Sequence, residues 1–193
     1  FNKLQINRFM ITMFVIAAPG QGSQKPGFLV PWLENPLWAD PMQAWSHHIN
    51  IDLVAHGTTS DLETITDTAI AQPLIVAAGI MSGRALLATL PKDTPLAFAG
   101  HSVGEFTAAA LSGVLSDEDA LSLVALRGAA MAAASAREST GMAAIIGGDT
   151  AAVEAALAAA DLYPANHNGG GQIVAAGTTA NLEAFAAHPP EGL

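Results

Sequence analysis

The chain has 193 residues, enough for one domain or one domain with a small satellite. Hydrophobic residues make up 51% of it and the mean hydropathy is +0.37, which excludes a disordered chain. The net charge of −10, from 17 acids against 7 bases, leaves no basic stripe for nucleic acid, and the absence of cysteine removes disulfides, thiolate zinc sites and cysteine nucleophiles.

Residues 1–9 are polar and irregular and hold Lys3 and Arg8, two of the seven bases. They are expected to be a non-native leader, with a native start at Met10 or Met13. Lys3 and Arg8 ahead of the apolar run 9–18 also resemble a signal peptide. The run, however, ends directly in a glycine turn that has a better use. No stretch reads as long enough to span a membrane. Met13 to Ala18 reads as a buried strand running into Pro19-Gly20-Gln21-Gly22-Ser23-Gln24. That loop lacks the Lys-Ser/Thr ending of a phosphate-binding loop. It offers backbone N–H groups and amides at a strand's carboxyl end, where open α/β sheets place their sites.

Residues 25–56, with four prolines and three tryptophans, read as a broken helix-and-loop cover. His47 and His48 are adjacent, so they share no helix face and read as surface or packing residues. Asp61 to Thr68 reads as polar with threonine caps. Gln72-Pro73 is expected to open a helix through Leu90, with Pro73 in its first turn and an apolar stripe from Leu74 to Ala88. Pro95 to Ala99 reads as a second buried strand, followed by Gly100-His101-Ser102-Val103-Gly104-Glu105 and a helix ending at Gly113.

Strand, Gly-x-Ser-x-Gly turn and helix form the context of a nucleophile elbow. The serine sits in strained backbone geometry, and the flanking glycines remove Cβ atoms that would clash. The helix behind it aims free N–H groups and the positive end of its dipole at the serine oxygen. An ordinary strand-to-helix turn with a capping serine fits the same residues.

Ser116 caps a helix, with Asp117, Glu118 and Asp119 in its first turn, that runs to about Ser135. It is apolar nearly all round, which predicts burial, yet Arg127 lies in its middle. Leu123 and Met131, four residues to either side, share the Arg127 face. A buried unpaired charge costs several kcal/mol, so Arg127 requires a partner carboxylate or an anionic ligand. Beyond it, strand Gly141–Gly147, helix Thr150–Ala160, Tyr163–Asn168 and Gln172–Ala176 as a strand pair or one strand broken by Gly169-Gly170-Gly171, and a helix capped by Thr178 give, with the pair, the order β-α-β-β-α. That is most of a ferredoxin-like unit, with its last strand missing. The expected organisation is an α/β core over 10–135 and a partial ferredoxin-like subdomain over 138–193.

Three stretches match one family together: Gly20-Gln21-Gly22-Ser23-Gln24, the Gly100 to Glu105 elbow and Arg127-Gly128. With Gln72-Pro73 and Asn166-x-Asn168-x-x-x-Gln172-Ile173-Val174, the chain resembles the malonyl-CoA:acyl carrier protein transacylases of fatty-acid synthesis, over about residues 10–193. The resemblance implies an α/β-hydrolase-like core with a parallel sheet and nucleophile elbow, carrying an inserted, incomplete ferredoxin-like subdomain. It implies that Ser102 carries a malonyl ester and that the N–H groups of Gln21 and Val103 form the oxyanion hole. Arg127 would grip the malonyl carboxylate, with His101 and Met131 beside the substrate. The implied partners are malonyl-CoA and acyl carrier protein; no cofactor, metal, nucleic acid or membrane is implied, and the enzyme would be a cytoplasmic monomer.

Carrier docking would draw on Lys25, Arg84, Lys92 and Arg137. Gly169-Gly170 departs from the Ser-Pro that many members carry there. An α/β-hydrolase-type serine hydrolase would instead need an acid after Ser102, with Asp149 and Asp161 as candidates. The acyltransferase domain of a polyketide synthase and an inactive fragment are further alternatives. The family's general-base histidine lies beyond Leu193, and none of His47, His48, His56, His101, His167 or His188 matches its motif. A serine without its base is a weak nucleophile. The chain is therefore read as truncated and weakly active or inactive: malonyl-CoA should label Ser102 slowly here and quickly in a longer chain, and equal fast labelling would overturn this.

Overall fold

The first two apolar runs, β1 (Phe14–Ala18) and β2 (Leu96–Gly100), pair with each other in parallel, from Phe14 opposite Leu96 to Ala18 opposite Gly100. The computed structural model describes residues 13–190 and 192; the expected leader, 1–9, and Met10 lie outside them. The chain divides into two compact units after Ala132. Between β1 and β2 run α1 (Val30–Leu33), α2 (Pro36–Ile49), α3 (Leu53–Thr58), α4 (Leu62–Thr66) and α5 (Thr68–Leu87). After β2 come α6 (Gly104–Leu111) and α7 (Asp117–Ser135). The core of this unit is a cluster that includes Leu29, Met42, Leu53, Ile65, Leu74, Ile80 and Leu121.

Several expectations are corrected. The strands are not buried: Val15 and Ala17 of β1 face outward, and only Ala18 is fully enclosed. Residues 25–56, by contrast, are the helices broken by loops that the sequence predicts. Pro36 sits in the first turn of α2 behind the Asn35 cap, where its missing N–H costs nothing, and α2 continues through Pro41. The caps around α4 are aspartates rather than threonines. Asp61 accepts from Thr64 N–H at 2.9 Å and Asp67 from Ala69 N–H at 2.7 Å. Asp67 therefore starts α5 four residues before Gln72, so Pro73 lies inside the helix, and α5 stops at Leu87.

The first half of α5 is buried nearly all round, from Ala71 to Ala77, rather than along one stripe. At 20 residues and a mean hydropathy of 1.5, α5 is also long and apolar enough to cross a membrane, against the sequence reading. Its apolar character has another use, since 56% of that stretch is buried inside the protein. The apolar composition of α7 likewise does not mean burial. Ala120, Leu121, Val124 and Gly128 are enclosed, while Leu123, Leu126 and Met131 are exposed.

The second unit holds β3 (Thr140–Ile146), α8 (Thr150–Ala159), β4 (Tyr163–Gly169), β5 (Gln172–Thr178) and α9 (Thr179–Ala187). Its antiparallel sheet has the order β3-β5-β4, the arrangement of the first three strands of a ferredoxin-like unit. Val153, Leu157, Leu162, Ile173 and Ala175 form a separate core. Thr178 caps α9 through Asn181 N–H, as its position predicts.

In the first unit α6 packs closely against the end of β1. A Cβ on Gly104 would fall 2.6 Å from the Pro19 carbonyl oxygen and nearer still to that of Ala18. These are backbone atoms and cannot rotate away. Gly104→Ala is expected to destabilise the fold by about 1–3 kcal/mol, the usual range for overpacking. It would appear as a lower urea midpoint at unchanged slope.

Candidate active site

The elbow has the predicted strain. Ser102 sits at φ +54°, in the left-handed region that residues with a Cβ enter at a cost. A Cβ on Gly100 would overlap the backbone of Gly104 and Glu105, so the turn closes only around glycine. It is held by Gly104 N–H on His101 O and Glu105 N–H on Ser102 O, both 3.0 Å. The Ser102 side chain is exposed, whereas Val103 is buried. Val103 directly precedes α6, and among the described residues its N–H makes no hydrogen bond.

The Pro19–Gln24 loop is drawn to the same place by the pairing of β1 with β2. His101 N–H donates to Ala18 O at 3.1 Å, extending the strand pairing into the turn. The His101 ring lies against Gly20, where a Cβ would come 2.8 Å from Nδ1. Gln24 holds the loop from beneath. It is buried, accepts from Gly22 N–H at 2.9 Å and donates to Ile65 O at 3.0 Å. The Gln21 side chain reaches outward to Thr66 O at 3.4 Å, while its backbone N–H has no partner among the described residues. Two unpaired N–H groups thus lie on the adjacent loops that leave paired strand ends.

Asp61 supports this loop indirectly, because it caps α4, whose Ile65 and Thr66 carbonyls receive the two glutamines. The Thr64 backbone N–H, and then the Thr64 hydroxyl, hold the Asp61 carboxyl below its ordinary value.

Arg127 arrives on α7. Gly128 lets that helix come close to the start of α5, since a Cβ there would lie 2.9 Å from Thr68 O. The Arg127 Nη1 donates to Gln72 Oε1 at 2.6 Å and Nη2 to Ser102 Oγ at 3.1 Å. Gln72 Nε2 points to Met131 Sδ at 3.2 Å, which puts Met131 on the Arg127 face as the helical spacing predicts. Of the two partners the sequence leaves open, a carboxylate or an anionic ligand, the first is not found: among the described residues Arg127 makes no salt bridge. Arg127 is half-buried, not enclosed, so partial hydration removes much of the cost that seemed to demand an ion pair.

Two residues of this cluster were not singled out for a role in the sequence. In the sequence Gln72 reads as a helix opening and Gln24 as part of a loop, both within stretches that carry the family resemblance but neither with a role of its own. The available signal was an amide inside the apolar run Ala71 to Val76, since a buried amide must find partners.

Other candidates have local duties. Asp149 caps α8 through Ala151 and Ala152 N–H, and Asp161 accepts from the Tyr163 hydroxyl. His48 pairs with Ser122, His56 with Ser60, and His167 lies 3.4 Å from Glu154. No described histidine hydrogen-bonds Ser102. Of the four candidate docking bases, Arg84 is engaged by Asp117 at 2.8 Å and by Ala110 O.

Residues 13–189 match the acyl transferase domain family. A malonyl CoA-acyl carrier protein transacylase of Mycobacterium bovis is 50% identical over 181 residues, 92% of this chain and 59% of that protein. The crystal structure of MCAT from Mycobacterium tuberculosis superposes with a TM-score of 0.88 at 49% identity, over 93% of this chain and 60% of that one. A malonyl-transacylase solved in complex with its type II PKS acyl-carrier protein gives 0.82 at 30% identity, over 94% and 62%. The chain thus spans about three fifths of the length of these relatives.

The strain at Ser102 has a cost in stability. Ser102→Gly should raise stability by up to about 1 kcal/mol, because glycine enters the left-handed region freely, and should abolish any acyl labelling at this position. Acyl labelling and thermal unfolding of the same variant check both halves; a lower Tm would mean that the Arg127 contact outweighs the strain.

Proposed function

Since the chain belongs to the acyl transferase family, we propose that it forms part of an enzyme moving a malonyl group from malonyl-CoA to the phosphopantetheine thiol of acyl carrier protein. The observation that carries this reading is Arg127, a half-buried guanidinium bound to the nucleophile's oxygen and paired with no carboxylate among the described residues. An acyl group on Ser102 would place its far end beside that cation. Malonyl ends in a carboxylate there and acetyl does not.

Each residue then has a task. Ser102 Oγ attacks the thioester carbonyl, the C–S bond breaks and coenzyme A leaves as the thiol, so malonate stays as a serine ester. The N–H groups of Gln21 and Val103 receive the negative charge on the tetrahedral carbonyl oxygen, a contribution of about 3 kcal/mol in related acyl transfers. Arg127 takes the carboxylate through Nη2 and the Nε–H on the same side, while Nη1 stays on Gln72. His101 and Met131 flank the acyl group. The carrier thiol then attacks the ester and regenerates Ser102. Thioester-to-thiol exchange needs no redox step or electron sink, so no cofactor is required, and both substrates belong to the cytoplasm. The base that takes the Ser102 proton is, on this reading, a histidine outside these 193 residues.

Acidic carriers meet an acidic chain, so docking relies on local bases rather than overall attraction. Lys25 and Lys92 remain exposed for this in the first unit and Arg137 in the second.

Arg127→Ala in the natural full-length protein should lower the malonyl-CoA to acetyl-CoA ratio of kcat/KM by about a hundredfold, the size of one or two charge-assisted hydrogen bonds. An unchanged ratio would sink the malonyl assignment and favour hydrolase chemistry.

A further inference from the structure

Gln72 is fully buried at the start of α5, yet both ends of its amide are used. Oε1 accepts from Arg127 Nη1 at 2.6 Å and Nε2 faces Met131 Sδ at 3.2 Å. The 2.6 Å bond is the shortest side-chain contact Arg127 makes. It leaves the second guanidinium nitrogen, Nη2, at Ser102 Oγ. The partner is a neutral amide where a carboxylate would bind more strongly. That choice has a consequence: an amide oxygen fixes the guanidinium in place but leaves its full positive charge unspent. A glutamate would fix it at least as well and cancel it.

We infer that Gln72 is the positioning and specificity-determining residue for the acyl group: it anchors Arg127 through a neutral acceptor so that the cation faces Ser102 uncompensated and selects an anionic acyl chain. The inference rests on the Arg127 reading given above. Nη1 is the fixed end of the guanidinium. Nη2 is the working end, on Ser102 Oγ in the free protein and on the acyl carboxylate once the ester has formed. Met131 sits four residues along α7 on the same face and closes the amide's other side, so the amide cannot turn over without losing the Arg127 bond.

The test uses Gln72→Met, Gln72→Glu and Arg127→Ala in the natural full-length protein, with malonyl-CoA and acetyl-CoA as paired acyl donors. Gln72→Met keeps the length and apolar contact of the side chain and removes the acceptor. It should raise KM for malonyl-CoA about tenfold, the value of one hydrogen bond to a charged group, with kcat and the acetyl reaction nearly unchanged. Gln72→Glu keeps the anchor and cancels the charge. It should cut the malonyl-to-acetyl ratio about as far as Arg127→Ala does, while acetyl transfer persists.

A merely structural role would lower both donors together, and that result in Gln72→Met overturns the inference. So does a ratio within twofold of the parent in both Gln72 variants while Arg127→Ala collapses it; the Arg127 reading then stands alone. A ratio unmoved in Arg127→Ala overturns both. Should Gln72→Glu fail to fold, Gln72→Met alone decides.

Discussion

Everything at the site depends on one close approach of backbone to backbone. The start of α6 lies against the end of β1 so tightly that Gly104 has no room for a Cβ beside the Ala18 and Pro19 carbonyls. That contact, with the His101 to Ala18 hydrogen bond, locks two parallel strand ends together. Both following loops must then emerge side by side, and the helix N-terminus must point between them. Val103 N–H, Gln21 N–H and Ser102 are neighbours for that reason, although 80 residues separate the loops in sequence. The strain at Ser102 is sustained because Gly100 and Gly104, lacking a Cβ, let the surrounding backbone close tightly on the turn and hold it.

A second close approach has the same logic. Gly128 brings α7 onto the first turn of α5, and that sets Arg127 over Gln72. The two glycines thus do parallel work. One brings Ser102 to the loop of Gln21 and the other brings the Arg127 cation to Gln72. Neither touches the chemistry, yet a methyl group at either would move it.

What the sequence revealed and concealed follows from the range of the forces involved. The elbow, the Gly113 stop, the Ser116 and Thr178 caps and the β4–β5 hairpin are set by residues within a few positions of one another. Their local patterns read correctly. Burial did not read correctly, because it depends on what lies opposite. β1 and α7 are apolar enough to be enclosed, yet each presents an exposed face. The start of α5 was misplaced because Gln72-Pro73 looks like a helix opening, whereas the Asp67 cap supplies the free N–H groups with an acceptor. Arg127 was recognised as needing a partner, but its neutral partner was missed. The contact between Gln72 and Arg127 spans 55 residues, and no local pattern records it.

The chain's two best-placed arginines show why the missing carboxylate matters. Arg84 donates to Asp117 at 2.8 Å and to Ala110 O, so its charge is spent on tying α5 to α6 and the start of α7. Arg127 is held by Gln72 through a neutral acceptor and keeps its charge. In a chain with 17 acids and 7 bases, a cation beside Ser102 with no carboxylate partner among the described residues stands against the overall field. At physiological salt that field fades over about 8 Å, whereas a guanidinium in contact with its ligand is little screened. On the proposed function, selection for an anionic acyl group therefore requires in an acidic protein a cation that is local, fixed and unpaired. The amide at position 72 meets all three conditions: it holds Arg127 still, it adds no opposing charge, and its burial keeps water from competing for the bond.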